Sequence, residues 1–178
     1  MSTQLFINAH IATGMPGSTA AETAAIQDIL VEDGKFISIA PNLKATLEAQ
    51  GKDMTSVEVV DLGGKLVCPP FCDTHLHLDY VFTARKPGAV NESGTLFEGI
   101  QRWSETKADL TVDEIKERAK IGIAKEMRHG VQFIRSHADV TDPNLTSLKA
   151  LLELKEELKD TVTLQIVSFP QEGMYSYE

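Results

Sequence analysis

The chain has 178 residues, with 17 Lys and Arg against 26 Asp and Glu and a formal net charge of −9. Its 42% hydrophobic content and 12 glycines are those of a globular chain and exclude disordered, collagenous and disulfide-built classes. The acidic balance argues against a nucleic-acid or anionic-membrane surface, and no apolar run approaches the roughly 18 residues of a membrane span. The first residues lack the basic start and long apolar run of a secretory signal, so a cytoplasmic protein is expected. The length suits one domain, or one with a small second, and falls short of the roughly 250 residues of a closed (β/α)8 barrel. The two cysteines, Cys68 and Cys72, enclose Pro69, Pro70 and Phe71, which is not a zinc-binding CxxC pair. Both read as small buried apolar residues.

Two styles of sequence meet near residue 65. Residues 1–64 are β-like and rich in turns. Leu5-Phe6-Ile7 opens a first strand, residues 25–31 form a second, and Asp33-Gly34 is a hairpin turn into a third over residues 35–40. In that third strand Phe36, Ser38 and Ala40 share one face and Ile37 and Ile39 the other. Residues 57–62 give a fourth. Short strands at this spacing suggest a small sheet or half of a sandwich, and some 60 residues bury little apolar surface by themselves.

From Lys65 the pattern alternates strand and helix. Lys65-Leu66-Val67-Cys68 enters a buried strand that resumes after the prolines over residues 71–78. Phe97-Glu98-Gly99-Ile100 and Trp103 fall in a helix, where most of them are core or lid packing. Thr111-Val112-Asp113-Glu114 has the form of a capping box, followed by Ile115, Ala119, Ile123 and Met127 along one helical face. Gly130 stands where a left-handed residue ends a helix. Residues 131–137 are the next strand. Asp142-Pro143 is expected to cap and start a further helix carrying Leu145, Leu148, Leu151, Leu152 and Leu158. Residues 162–169 are a third strand, left by the loop Pro170-Gln171-Glu172-Gly173. This strand–helix order is that of an α/β fold, doubly wound or barrel. No glycine-rich phosphate loop follows a strand, which disfavours a nucleotide cofactor.

The sharpest chemical feature is Asp73-Thr74-His75-Leu76-His77-Leu78-Asp79. Side chains alternate along a strand, so His75, His77 and Asp79 project from one face and the two imidazoles can reach one metal ion. Leu76 and Leu78 then point into the apolar layer behind. Imidazole suits zinc, iron and related ions. Asp79 could orient an imidazole or bond to the backbone. The competing reading is a pair of surface histidines that bind nothing. The second strand ends in Arg135, His137 and Asp139, with His137 and Asp139 on one face. His137 there fits a pocket wall, a metal neighbour or a satisfied core residue equally. Gln171, after the third strand, could read a lactam or amidine edge because an amide both donates and accepts; it fits a loop cap almost as well. All three strands carry polar residues at the same end, where α/β enzymes keep their sites. The Lys- and Glu-rich stretch around Glu153 and Lys159 is a solvated helix face.

Val67-Cys68-Pro69-Pro70-Phe71 followed by His75-Leu76-His77-Leu78-Asp79 resembles the first barrel strand of the amidohydrolase superfamily. Ser93-Gly94-Thr95-Leu96-Phe97-Glu98-Gly99-Ile100 with Trp103, and Phe169-Pro170-Gln171-Glu172-Gly173, are similar to its bacterial cytosine deaminase branch. The resemblance runs from about residue 5 to the end. It implies a (β/α)8 TIM-barrel metal-dependent hydrolase with a small β-sandwich. Residues 1–64 would be the N-terminal part of the sandwich, and residues 65–178 the first part of the barrel, cut off after its third strand. The implied reaction is hydrolytic deamination of cytosine or a related aminated ring, releasing ammonia through attack by metal-bound hydroxide. His75 and His77 match the first two ligands of one divalent metal, iron or zinc. Gln171 matches the amide that holds the pyrimidine edge, and Leu96 a residue that packs on the ring. Asp79, His137 and Asp139 are candidate pocket or metal-supporting residues. The remaining ligands and the general acid/base glutamate would lie beyond Glu178, so the segment alone is expected to be inactive. The stretch from Tyr80 to Val90 departs from the usual loop after the first strand, which leaves isoguanine, 5-methylcytosine and creatinine-like rings open. The expected partner is a small nucleobase-like substrate, with no nucleic acid or membrane, and the complete protein is expected to be a homo-oligomer. Two other readings stand beside this one. The chain could be a non-catalytic piece that binds its missing half or a partner, or it could belong to another cyclic-amide amidohydrolase such as a hydantoinase-like ring opener.

Overall fold

The two-residue turn Asp33-Gly34 has positive φ at both positions, 48° and 76°, the geometry that matches the twist of a tight hairpin. It joins β2 (Ile26–Glu32) to β3 (Lys35–Ala40) in antiparallel register, with Glu32 opposite Lys35. The computed structural model describes residues 2–11 and 25–174. By its internal contacts the chain divides into two units, Met1–Pro69 and Pro70–Glu178.

In the first unit, β1 (Thr3–Ile11) lies between β2, antiparallel, and β4 (Val57–Asp61), parallel. The strand order among the described residues is β3-β2-β1-β4. The short β5 (Leu66–Val67) also pairs with β1, in parallel. Leu66-Val67 therefore does not lead into the next strand as the sequence suggested. The two prolines that follow, lacking N–H donors, mark the end of its ladder. Leu5, Leu30, Leu43 and Val57 form the core. Leu43 is carried by α1 (Leu43–Ala49), a helix hidden in a polar stretch, whose Leu47 follows one turn later and packs on the same cluster. A register shift between Leu30 and Val31 leaves Ile37 without an opposite residue, and Phe36, Ile37 and Ile39 are all exposed.

In the second unit, β6 (Phe71–Leu76), β7 (Val131–Asp139) and β8 (Thr163–Phe169) form a parallel sheet in that order. Three α-helices accompany them among the described residues: α2 (Leu96–Lys107), α3 (Val112–Arg128) and α4 (Thr146–Glu157). The capping box is formed: Glu114 N–H donates to the Thr111 hydroxyl at 3.2 Å, and Thr111 N–H to the Glu114 carboxylate at 3.0 Å. Ile115, Ala119 and Ile123 of α3 and Ala150, Leu151 and Leu154 of α4 bury against Ile134, Ala138 and Leu164 of the strands. Gly130, at φ 86°, turns the chain from α3 into β7. α4 begins at Thr146, later than the Asp142-Pro143 signal suggested. Asp142 still caps it, but across a turn: its carboxylate accepts the N–H of Asn144 at 3.0 Å and of Thr146 at 2.8 Å, while Leu145 takes a left-handed φ of 52°. Cys68 and Cys72 are exposed free thiols, contrary to the buried reading. Cys68 stands in the link beyond β5, and Cys72 is on an edge strand whose own flank, from Phe71 to His75, is largely exposed. No helix among the described residues is long and apolar enough to cross a membrane.

Candidate metal centre and adjoining cleft

Strand β7 sorts its side chains between two faces. Ile134, Ser136 and Ala138 are buried toward the helices, while Arg135 and His137 lie on the opposite face. On β6 the alternation is broken. Its register against β7 shifts between Asp73 and Leu76, and the Asp73 carboxylate accepts the N–H of His75 at 2.9 Å. The strand ends at Leu76, and the chain turns with Tyr80 N–H and Val81 N–H donating to the carbonyl of His77. Leu78 is buried in the core as expected, and its N–H donates to the Ser136 hydroxyl at 3.1 Å. The guanidinium of Arg118 on α3 donates to the carbonyls of Val81, at 2.7 Å, and Asp79, at 3.2 Å, fixing the turn from behind.

This folding brings three imidazoles together. One nitrogen from each of His75, His77 and His137 lies within 4.8 Å of the other two, a spacing that could hold one metal ion. The rings of His75 and His137 stack at 4.1 Å between centroids, and Phe169 meets both His77 and His137 edge-on, at 5.4 and 5.6 Å. Burial, together with the like charges of His75 and His137, lowers the pKa of His77 and favours the neutral, metal-ligating imidazole. Nδ1 of His137 is buried with no hydrogen-bond partner among the described residues. An unsatisfied buried nitrogen beside two further imidazoles is what a ligand set looks like without its ion, so these residues fit a bound metal.

The two aspartates do different work from the histidines. Asp79 is buried and accepts the backbone N–H of Asp139 at 2.9 Å, joining the turn after β6 to the end of β7. Burial pushes its carboxyl up to about 6, against the hydrogen bonds it receives from Asp139 and Ser147. Asp139 accepts from Trp103 Nε1 at 2.7 Å, Lys107 Nζ at 3.0 Å, and the N–H and hydroxyl of Thr141 at 2.8 and 2.6 Å. Burial alone would raise its pKa, but these donors prevail and lower it. Lys107 also reaches Glu172, at 2.5 Å. Burial opposes its charge, yet the two carboxylates hold its pKa above the ordinary lysine value. Lys107, Arg118 and Thr141 were not singled out from sequence. The available signal was the spacing of Trp103 and Lys107, one turn apart and so on one face of α2.

A cleft of about 470 Å³ opens beside the histidines, lined among others by His77, Leu96, Trp103, Asp139 and Gln171. Leu96 stands at the first turn of α2, 73% exposed. The loop before it is held by hydrogen bonds: Asn91 donates to the carbonyl of Thr95 and accepts the N–H of Gly94, and Glu98 accepts the N–H groups of Glu92 and Ser93. Tyr80 packs edge-on against Trp103 at 5.0 Å and donates to the carbonyl of Gly99 at 3.3 Å. The cleft thus has an aromatic and aliphatic wall, the side-chain amides of Asn91 and Gln171, and the imidazole of His77 at one side.

Residues 58–177 match the sequence profile described as the Amidohydrolase family. The chain belongs to the amidohydrolase family. This is a family of metal-dependent hydrolases. The chain is 39% identical in sequence to 5-methylcytosine deaminase from Klebsiella pneumoniae, solved with 5-fluorocytosine, and superimposes with a TM-score of 0.78 over 97% of its own length and 38% of that chain. It is 30% identical over 159 residues to N-isopropylammelide isopropyl amidohydrolase of Pseudomonas sp. (strain ADP), covering 87% of itself and 37% of that relative. It is 28% identical to pterin deaminase of Rhizobium rhizogenes, covering 83% of itself and 32% of that relative. The chain therefore spans about a third of the length of these amidohydrolases.

Proposed function

We propose that this amidohydrolase segment contributes the metal-binding and ring-binding side of a hydrolase that deaminates cytosine or a related aminated ring. The observation that carries this reading is the convergence of the His75, His77 and His137 nitrogens within 4.8 Å, at the wall of a cleft that also contains Gln171 and Leu96. His75 and His77 hold one divalent ion, iron or zinc, with His137 beside them. Such an ion, when bound, activates water and polarises the reacting carbon. The Gln171 amide both donates and accepts, which matches the alternating edge of a cytosine-like ring. Leu96 covers one face of that ring and Trp103 bounds the cleft behind it. Asp79 and Asp139 keep the ends of β6 and β7 in register, so that the imidazoles face the ring. The identity to a 5-methylcytosine deaminase and a pterin deaminase supports an aminated ring as the substrate class.

The same reading makes residues 1–64 part of a β-sandwich and residues 65–178 the first part of a (β/α)8 barrel, in a cytoplasmic homo-oligomer acting on a small nucleobase-like molecule. The test is ammonia release by the full-length protein, loaded with iron or zinc, from cytosine, 5-methylcytosine, isoguanine and creatinine. Turnover of at least one ring is expected. Release from none of them, with the metal bound, overturns the proposal. Turnover by the 178-residue chain alone would overturn the placement of the acid/base group beyond Glu178.

A further inference from the structure

We propose that Lys107 is a positioning residue that sets Gln171 against the ring, acting through Glu172. The inference rests on the reading of Gln171 as the ring-binding amide. Lys107 is 8% exposed, a burial that lysines almost never show without partners. Its ammonium donates to Asp139 at 3.0 Å and to Thr141 Oγ1 at 2.6 Å, and forms an ion pair with the Glu172 carboxylate at 2.5 Å. Asp139 and Thr141 belong to the end of β7, whereas Glu172 belongs to the loop after β8 and is the chain neighbour of Gln171. A loop residue next to the cleft is thereby tied, through one buried cation on α2, to the strand end that carries His137 two residues earlier.

The geometry has a direct consequence for binding. Within the loop from Pro170 to Gly173, the N–H of Gly173 donates to the carbonyl of Pro170 and shapes the turn. The Lys107–Glu172 pair links that turn to the end of β7 through Asp139. Asp139 is in turn fixed by Trp103 Nε1 and by its own N–H on Asp79, so the anchor is rigid. Without the anchor, ring binding must order the loop and loses affinity to that ordering.

The test is a double-mutant cycle in the full-length, metal-loaded protein, using whichever of cytosine, 5-methylcytosine, isoguanine and creatinine gives the highest kcat/KM. Equilibrium binding of that ring is measured by calorimetry, alongside KM, kcat and metal per chain. Glu172→Ala and Lys107→Met are each expected to weaken binding about tenfold, and to add less than about twofold on top of Gln171→Ala, because residues in one unit do not act additively. Metal per chain should stay unchanged. Effects that multiply with Gln171→Ala, or a loss of metal accompanying the loss of affinity, overturn the proposal in favour of a general structural role. Should Lys107→Met fail to fold, Glu172→Ala decides alone, since it leaves the Lys107–Asp139 pair in place; unchanged affinity in that variant overturns the proposal. If Gln171→Ala itself leaves affinity unchanged, the reading of Gln171 fails and the positioning role falls with it, whereas a large Gln171→Ala effect with a silent Glu172→Ala condemns only the positioning role.

Discussion

The imidazole of His77 is half-buried between His75 and His137, and its lowered pKa keeps it neutral where a metal needs a nitrogen lone pair. His77→Ala should therefore remove a ligand and cut the metal bound per full-length chain sharply; unchanged stoichiometry by elemental analysis refutes the ligand assignment. Glu98 offers a pH test at the other side of the cleft. Hydrogen bonds from the Ser93 side chain and from the N–H groups of Ser93 and Glu92 hold its carboxyl at about 2, below the ordinary 4.5. A carboxyl lowered on folding stabilises the fold fully above its unfolded value and loses that contribution as pH falls through its folded one. The destabilisation caused by Glu98→Gln, followed by thermal melts, should be whole above about pH 4.5 and shrink toward pH 2. A penalty that is independent of pH would show that the carboxylate charge does not hold the loop. At this scale the sequence placed His75 and His77 by strand alternation, though the strand ends at Leu76 and a register shift lies before it. Asp79 lies in the turn beyond the strand end and takes the second of the two roles open to it, bonding to the backbone of Asp139.

Among the elements, α3 was the most legible because its signals are local. Thr111, Glu114, the apolar face from Ile115 to Ile123 and Gly130 each act within a turn of one another, and all are realised. Thr111→Ala should lower stability by about 1 kcal/mol, the usual cost of a lost N-cap, measured by denaturant unfolding of the full-length protein. A change under a few tenths would mean that the packed face alone holds the helix. Where a residue could serve two elements, the local reading went astray. Asp142 caps α4 across a turn because its carboxylate reaches the N–H of Thr146 as readily as an adjacent one. Leu66-Val67 went to β1 because strand partners are chosen by backbone proximity, which no local pattern encodes.

At the scale of the whole chain, apolar side chains remain in water. Phe36 on β3 is 74% exposed, and Phe71 on β6 and Phe133 on β7 are 57% and 45% exposed. Among the described residues β6 and β8 each pair on one side only, which leaves two edges able to recruit other chains. The 178-residue chain expressed alone should elute above monomer size or melt without cooperativity. A cooperatively melting monomer in gel filtration and calorimetry would contradict this. The net charge of −9 favours solubility without covering those faces.

The sequence by itself determined the α/β class of the second unit, the hairpin, the cap and close of α3, and the histidine pair, because each is written within a few residues by turn chemistry, periodicity or motif. The tertiary structure decided what those residues do together. It brought His137 from β7 onto the stacked face of His75, gave Leu66-Val67 to the first sheet, and placed Lys107 of α2 among Asp139, Thr141 and Glu172. Those arrangements join residues some 30 to 65 positions apart, and only the packing of strands and helices around a shared core fixes such distances.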